Sequence, residues 1–136
     1  MVPETISLMQ LVKQACDRGV GAVLVSDKHG KPVGIVTERD IMRQCCQRVD
    51  FEKVKAGDVM GRNLVVASPS DDINHAMDLM ISKNIRHLPV VSENGLEGII
   101  TIRDLVHAIR QSDKDEIEEF VRYLQTSMES KQTDKE

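Results

Sequence analysis

The sequence predicts an α/β fold in which one supersecondary unit is used twice and packed on itself, with a further helix at the C-terminal end. Three observations carry this expectation. The phrase Gly34-Ile35-Val36-Thr37-Glu38-Arg39-Asp40-Ile41 returns as Gly98-Ile99-Ile100-Thr101-Ile102-Arg103-Asp104-Leu105, and a repeated phrase implies a repeated structural unit. The repetition extends backwards. Leu8, Leu11, Val12, Ala15 and Cys16 answer to Ile73, Ala76, Met77, Met80 and Ile81, and both sets follow the i, i+3, i+4, i+7, i+8 spacing of one apolar helix face. Finally, Ala22 to Val25 and Leu88 to Val91 are apolar runs without alternation, as in short strands covered on both faces.

Each unit therefore reads helix, strand, turn, strand, helix. Asp27-Lys28-His29-Gly30 and Ser92-Glu93-Asn94-Gly95 supply turn chemistry between the strands. Lys31-Pro32-Val33 is one residue longer than Leu96-Glu97, so the correspondence shifts by one across the turn. Val33 to Val36 and Gly98 to Ile100 are the return strands. Ile41, Met42 and Cys45 then answer to Leu105, Val106 and Ile109 as a second helical stripe. Leu64 to Ala67 answer to positions at or before Val2, so the first copy is expected to lack most of an opening strand. A unit of about 60 residues buries little surface alone, so the two are expected to pack as one module. The expected boundaries are 1–48 for the first repeat, 49–57 for a linker and 58–111 for the second repeat. Ile117, Phe120, Val121, Leu124 and Met128 mark a helix over 112–128, which could fold back on its own domain or pack on another subunit. The charged stretch 129–136 is expected to be disordered.

Composition narrows the function. The 136 residues carry a net charge of −4, which argues against a general nucleic-acid binder, since neutralising phosphates needs a basic face. No apolar run approaches the ~20 residues of a membrane span, and no signal-peptide pattern opens the chain. Cys16, Cys45 and Cys46 are an odd number of cysteines, which suggests a reducing, cytoplasmic setting. Cys16 and Cys45 stand where the other copy has Ile81 and Ile109, so both are expected as small core hydrophobes, with Cys46 more exposed. His29, His75, His87 and His107 show no metal-ligand spacing. With Phe51, Phe120 and Tyr123 as the aromatic residues, a bound base would lie between aliphatic side chains and backbone.

Thr37-x-x-Asp40 and Thr101-x-x-Asp104 stand where a strand ends and a helix begins. One reading is a capping box, with the carboxylate reaching back to the cap residue. The other is a ligand site. A helix start offers unpaired N–H groups and a favourable dipole to an anion. A Thr hydroxyl there can contact phosphate, and a carboxylate one turn on can accept from neighbouring ribose hydroxyls. Arg39 and Arg103 could meet phosphate or form surface ion pairs.

The chain resembles a tandem pair of cystathionine-β-synthase (CBS) domains, a Bateman module, over about residues 3 to 110. The phrases that carry the resemblance are Arg18-Gly19-Val20-Gly21-Ala22-Val23-Leu24-Val25 and Asn84-Ile85-Arg86-His87-Leu88-Pro89-Val90-Val91, each followed by its Gly-Ile-x-Thr-x-Arg-Asp segment, together with Asp58-Val59-Met60. The resemblance implies two β-α-β-β-α repeats related by pseudo-twofold symmetry, with clefts at their interface. It implies a ligand containing adenosine, with AMP or ATP foremost among AMP, ADP, ATP, S-adenosylmethionine and NAD-type compounds. Phosphate and ribose would be held at Thr37 and Asp40, and at Thr101 and Asp104. The base would rest against Val65, Val66, Ala67 and Ser68, with Arg86, His87, Leu88 and Pro89. Val65 to Ala67 also read as ordinary core, and Ser68 as part of a cap-rich helix start. Arg86-His87 answers to Gly21-Ala22, so unequal clefts are expected, the tighter phosphate site involving Arg86.

The implied function is a non-catalytic regulatory module, expected to be a homodimer, that signals to a partner such as a regulated enzyme or transporter. The alternative is a ligand-free oligomerisation or scaffold module. An enzyme is disfavoured, since no nucleophile sits beside a plausible base and no metal or catalytic cofactor constellation is visible.

Overall fold

Ser7 starts the first helix. Its hydroxyl accepts from the Gln10 N–H at 3.2 Å, and the Ser7 N–H donates to Gln10 Oε1 at 3.4 Å, so two otherwise orphaned donors are satisfied reciprocally. Asp72 caps the corresponding helix of the second copy with a single bond, its carboxylate accepting from the His75 N–H at 2.8 Å. The computed structural model describes residues 1–110 and 120–123. Its elements are β1 (Val2–Pro3), α1 (Leu8–Arg18), β2 (Ala22–Ser26), β3 (Pro32–Thr37), α2 (Glu38–Cys46), α3 (Ala56–Val59), α4 (Ile73–Ser82), β4 (His87–Ser92), β5 (Gly95–Thr101) and α5 (Ile102–Arg110).

The duplication reaches into the backbone. The first sheet has the order β1-β2-β3, with β1 parallel and β3 antiparallel to β2. In the second, β4 pairs antiparallel with β5, and Ala67 bridges Val90 in parallel, as Val2 does Val25. The opening strand is thus two residues long in the first copy and a single bridge in the second. Both hairpins carry a register shift at the same place, between Val25 and Ser26 and between Val90 and Val91. Helices α1 and α4 both stop on a left-handed residue, Gly19 at φ 62° and Asn84 at φ 52°. Glycine and asparagine tolerate that conformation with the least penalty.

Each repeat has its own core. Leu8, Leu11, Val23, Val25 and Val36 anchor the first; Ala67, Ala76, Met80, Leu88 and Leu105 anchor the second. Side chains alternate along a strand, so Leu24 and its counterpart Pro89 point away from these clusters. Both are fully buried. Leu24 shares a crevice with Leu96 and Ile99 of the other repeat, which places it at the junction of the two halves.

Residues 56–61 return to the first repeat. The Ala56 N–H donates to Ile6 O at 2.9 Å and the Gly57 N–H to Glu4 O at 2.9 Å, while Ile35 and Gly61 exchange backbone bonds of 3.1 and 2.9 Å. Ala56 and Met60 join the first core.

Cys16 and Cys45, expected as core residues, are exposed, as is Cys46. Helix α1 buries only Leu8 and Leu11, and α2 buries none of its residues. The far end of α1 instead borders an apolar cavity of about 350 Å³ lined by Val12, Ala15, Cys16, Val20, Val23 and Ile41 among others. Of the helix expected over 112–128, residues 120–123 are described and helical; the rest, and the stretch 129–136, lie outside the described residues. No described helix is long and apolar enough to cross a membrane.

Candidate functional site

Thr37 ends β3 in an extended conformation and Glu38 begins α2. The Thr37 N–H and hydroxyl both donate to Asp40 Oδ2, at 2.8 and 3.0 Å. Arg43 Nη1 reaches the other carboxylate oxygen at 3.3 Å. The Glu38 N–H donates to Gly21 O at 3.0 Å, tying the helix start to the strand beside it. The second copy repeats this geometry. Thr101 N–H and Oγ1 donate to Asp104 Oδ2 at 2.7 and 3.0 Å, the Asp104 N–H donates to Thr101 Oγ1 at 3.2 Å, and the Ile102 N–H donates to Arg86 O at 3.3 Å. Both Thr-x-x-Asp phrases therefore cap their helices.

The two copies differ in what lies opposite. A cleft of about 230 Å³ opens between Ile35, Thr37, Glu38, Arg39, Asp40 and Arg43 of the first repeat and Asn84, Ile85, Arg86 and His87 of the second, with Gly21 and Gly61 on its walls. Of the residues singled out in the sequence, it gathers Thr37, Arg39, Asp40, Arg86 and His87. Thr101, Arg103 and Asp104 do not line it. The pseudo-symmetric crevice, where Val20 and Ile99 take the places of Ile85 and Ile35, measures about 160 Å³ and also includes none of those three.

The other candidates are spread out. Val65 packs against the second core, Val66 is exposed, and Ala67 is buried. Ala67 is held by its own N–H to Pro89 O at 2.8 Å and by the Val91 N–H to its carbonyl at 2.9 Å. Ser68 is used in its turn, its N–H donating to Asp71 Oδ2 at 2.8 Å. Leu88 and Pro89 are fully buried. None of these six lines the cleft.

The cleft is mixed in character. Ile35 and Ile85 give it aliphatic walls. Arg39, Arg43 and Arg86 bring guanidinium groups, against the carboxylates of Glu38 and Asp40. His87 is half-buried. Burial pushes its pKa down, the nearby Glu38 carboxylate pulls it up, and Arg86 pushes it down. Among the described residues no cluster of His, Cys, Asp or Glu side chains is arranged to hold a metal ion. Such a site can hold an anion and a pair of hydroxyls beside an apolar group.

Sequence reasoning missed Gly21, Ile35, Glu38, Arg43, Gly61, Asn84 and Ile85. Glu38 and Arg43 flank Asp40 on α2, and Ile85 precedes Arg86, so helix and strand geometry could have nominated them. Gly61 carries no local signal, because only the tertiary return of 56–61 brings it here.

The description of the CBS domain family matches residues 1–46 and 56–111. The chain belongs to the CBS domain family. Its two segments are a CBS pair. Similar proteins include the mitochondrial CBS domain-containing protein of Arabidopsis thaliana, 33% identical over 120 residues, which cover 84% of this chain and 58% of that protein. A CBS domain protein from Pyrobaculum aerophilum, solved in complex with AMP, matches at a TM-score of 0.72 and 30% identity over 85% of this chain and 84% of that one. The CBS domain pair of protein MJ0100, solved with 5′-methylthioadenosine and S-adenosylmethionine, matches at 0.73 and 27% identity over 83% of this chain and 90% of that one. This CBS pair spans roughly half to two thirds of the length of the first curated relatives it matches, 53, 66 and 58%.

Proposed function

We propose that this CBS pair is a non-catalytic regulatory module that binds an adenosine nucleotide, AMP or ATP, in the cleft between Thr37–Asp40 and Arg86–His87. One observation carries the reading: the phosphate- and ribose-competent residues of one repeat face the Arg86 guanidinium and the His87 imidazole of the other across a single cleft. A ligand there touches both halves, so its binding energy favours one packing of the repeats over another, and that is what a partner can read. Ribose hydroxyls would displace the exposed Arg43 from Asp40, an exchange that costs little because exposed ion pairs contribute about 0–1 kcal/mol. Ile35 and Ile85 would flank the base. The structural relatives solved with AMP, 5′-methylthioadenosine and S-adenosylmethionine support an adenosine ligand. A homodimer that regulates an attached or separate enzyme or transporter is the setting we favour.

Calorimetric titration with AMP, ATP, S-adenosylmethionine and NADH tests this. Binding tighter than millimolar by an adenosine compound, lost in Asp40→Ala, is the expected result. No binding by any of the four, or undiminished binding by Asp40→Ala, would remove the reading. The capping role of Thr37 and Asp40 favours the second reading, a ligand-free scaffold. That reading requires a stable oligomer whose melting temperature ignores nucleotides, whereas a ligand of the native state raises it by mass action.

A further inference from the structure

Two carboxylates line the cleft: Asp40, held by Thr37 and Arg43, and Glu38. The Glu38 carboxylate lies against Gly21, where a β-carbon would meet Glu38 Cδ at 3.0 Å and collide with Oε1. The Glu38 N–H is fixed to Gly21 O at 3.0 Å. The side chain therefore borders the cleft on the same wall as Thr37, and it also lines the adjoining apolar cavity. It acts electrostatically on His87 across the cleft. The second copy has Arg86 at the place of Gly21 and Ile102 at the place of Glu38, so the carboxylate distinguishes this cleft from its pseudo-symmetric counterpart.

We propose that Glu38 sets the charge preference of the cleft, so that it takes a nucleoside monophosphate in preference to the triphosphate. The proposal rests on the adenosine-binding reading above. Arg43 and Asp40, paired at 3.3 Å, offset each other's charge whether or not a ribose comes between them, which leaves Arg39 and Arg86 against Glu38. The cleft side chains therefore carry about one net positive charge, which a single phosphate monoester, at about −1.5 to −2, already offsets. Each additional phosphate adds negative charge beside a carboxylate, and like charges a few ångströms apart repel appreciably in a partly desolvated site.

The test is calorimetric titration of the full chain with AMP and with ATP. A chelator keeps ATP free of magnesium and fully charged. The parent is expected to bind AMP more tightly than ATP. Glu38→Gln is expected to bring ATP closer to AMP by about tenfold, and raised salt to shrink the parent's preference, as screening requires. Glu93→Gln removes the same charge from the exposed β4–β5 turn and is expected to leave the ratio alone. Gly21→Ala displaces the carboxylate without neutralising it and is expected to change the ratio too, which covers a loss of α2 stability in the Gln variant. A parent that binds ATP more tightly, or a ratio unmoved in both Glu38→Gln and Gly21→Ala, overturns the role of Glu38 while leaving nucleotide binding intact. A parent that binds neither compound overturns both.

Discussion

His87 and Asp40 sit on opposite walls of the cleft, and each predicts a measurable asymmetry. The His87 imidazole is half-buried and its pKa lies below the ordinary 6.5, with burial as the main cause. A group whose folded pKa is depressed contributes stability that is present above its unfolded pKa and lost as pH falls through the folded value. The melting temperature should therefore decline as pH drops below about 6.5, and His87→Gln should flatten part of that decline. Equal slopes in parent and variant between pH 8 and 5 would show that His87 is not the group responsible. Asp40 and Asp104 make matching bonds to their Thr partners, so alanine at either should cost about 1 kcal/mol of stability through the lost cap. Only Asp40→Ala should weaken nucleotide binding. Urea denaturation paired with calorimetry separates the two effects, and equal loss of affinity in both variants would count against the single-cleft account.

At the level of elements, Gly34 and Gly98 hold equivalent places in the two return strands and have different surroundings. A β-carbon on Gly34 would meet Met60 Cγ and Gly61 O at 2.8 Å, whereas one on Gly98 meets nothing within 4 Å. Gly34→Ala should cost about 1–3 kcal/mol by overpacking, and Gly98→Ala should stay within about 0.5 kcal/mol of the parent. Denaturant melts of the two variants check this, and similar costs would mean that residues 56–61 do not press on β3. The sequence makes β2 to β5 and the stripes of α1 and α4 readable, because burial imposes a period and the second copy repeats it. The same logic misplaces Cys16 and Cys45. Correspondence to Ile81 and Ile109 reports a place in the repeat, but burial depends on what lies over that place, and the end of α1 stands beside an open cavity. The return of 56–61 to the first repeat is likewise invisible, since its partners Glu4, Ile6 and Ile35 are distant in sequence.

Across the whole molecule, the junction between repeats is made by positions that neither core claims. Leu24 is fully buried there, so Leu24→Ala should cost about 2–5 kcal/mol and should weaken nucleotide binding although Leu24 does not line the cleft. Full affinity in that variant would separate the junction from the site. The candidate site was legible where one repeat speaks for itself, as in Thr37, Arg39 and Asp40. Its completion by Arg86 and His87 followed from analogy, because which repeat faces which is a tertiary fact. The most direct measurement is a crystal structure of the chain with AMP. The account predicts density bridging the repeats, with ribose hydroxyls at Asp40 and phosphate beside Thr37 and Arg86. Density confined to Thr101–Asp104, or a cleft that stays free of ligand at saturating AMP, would contradict it.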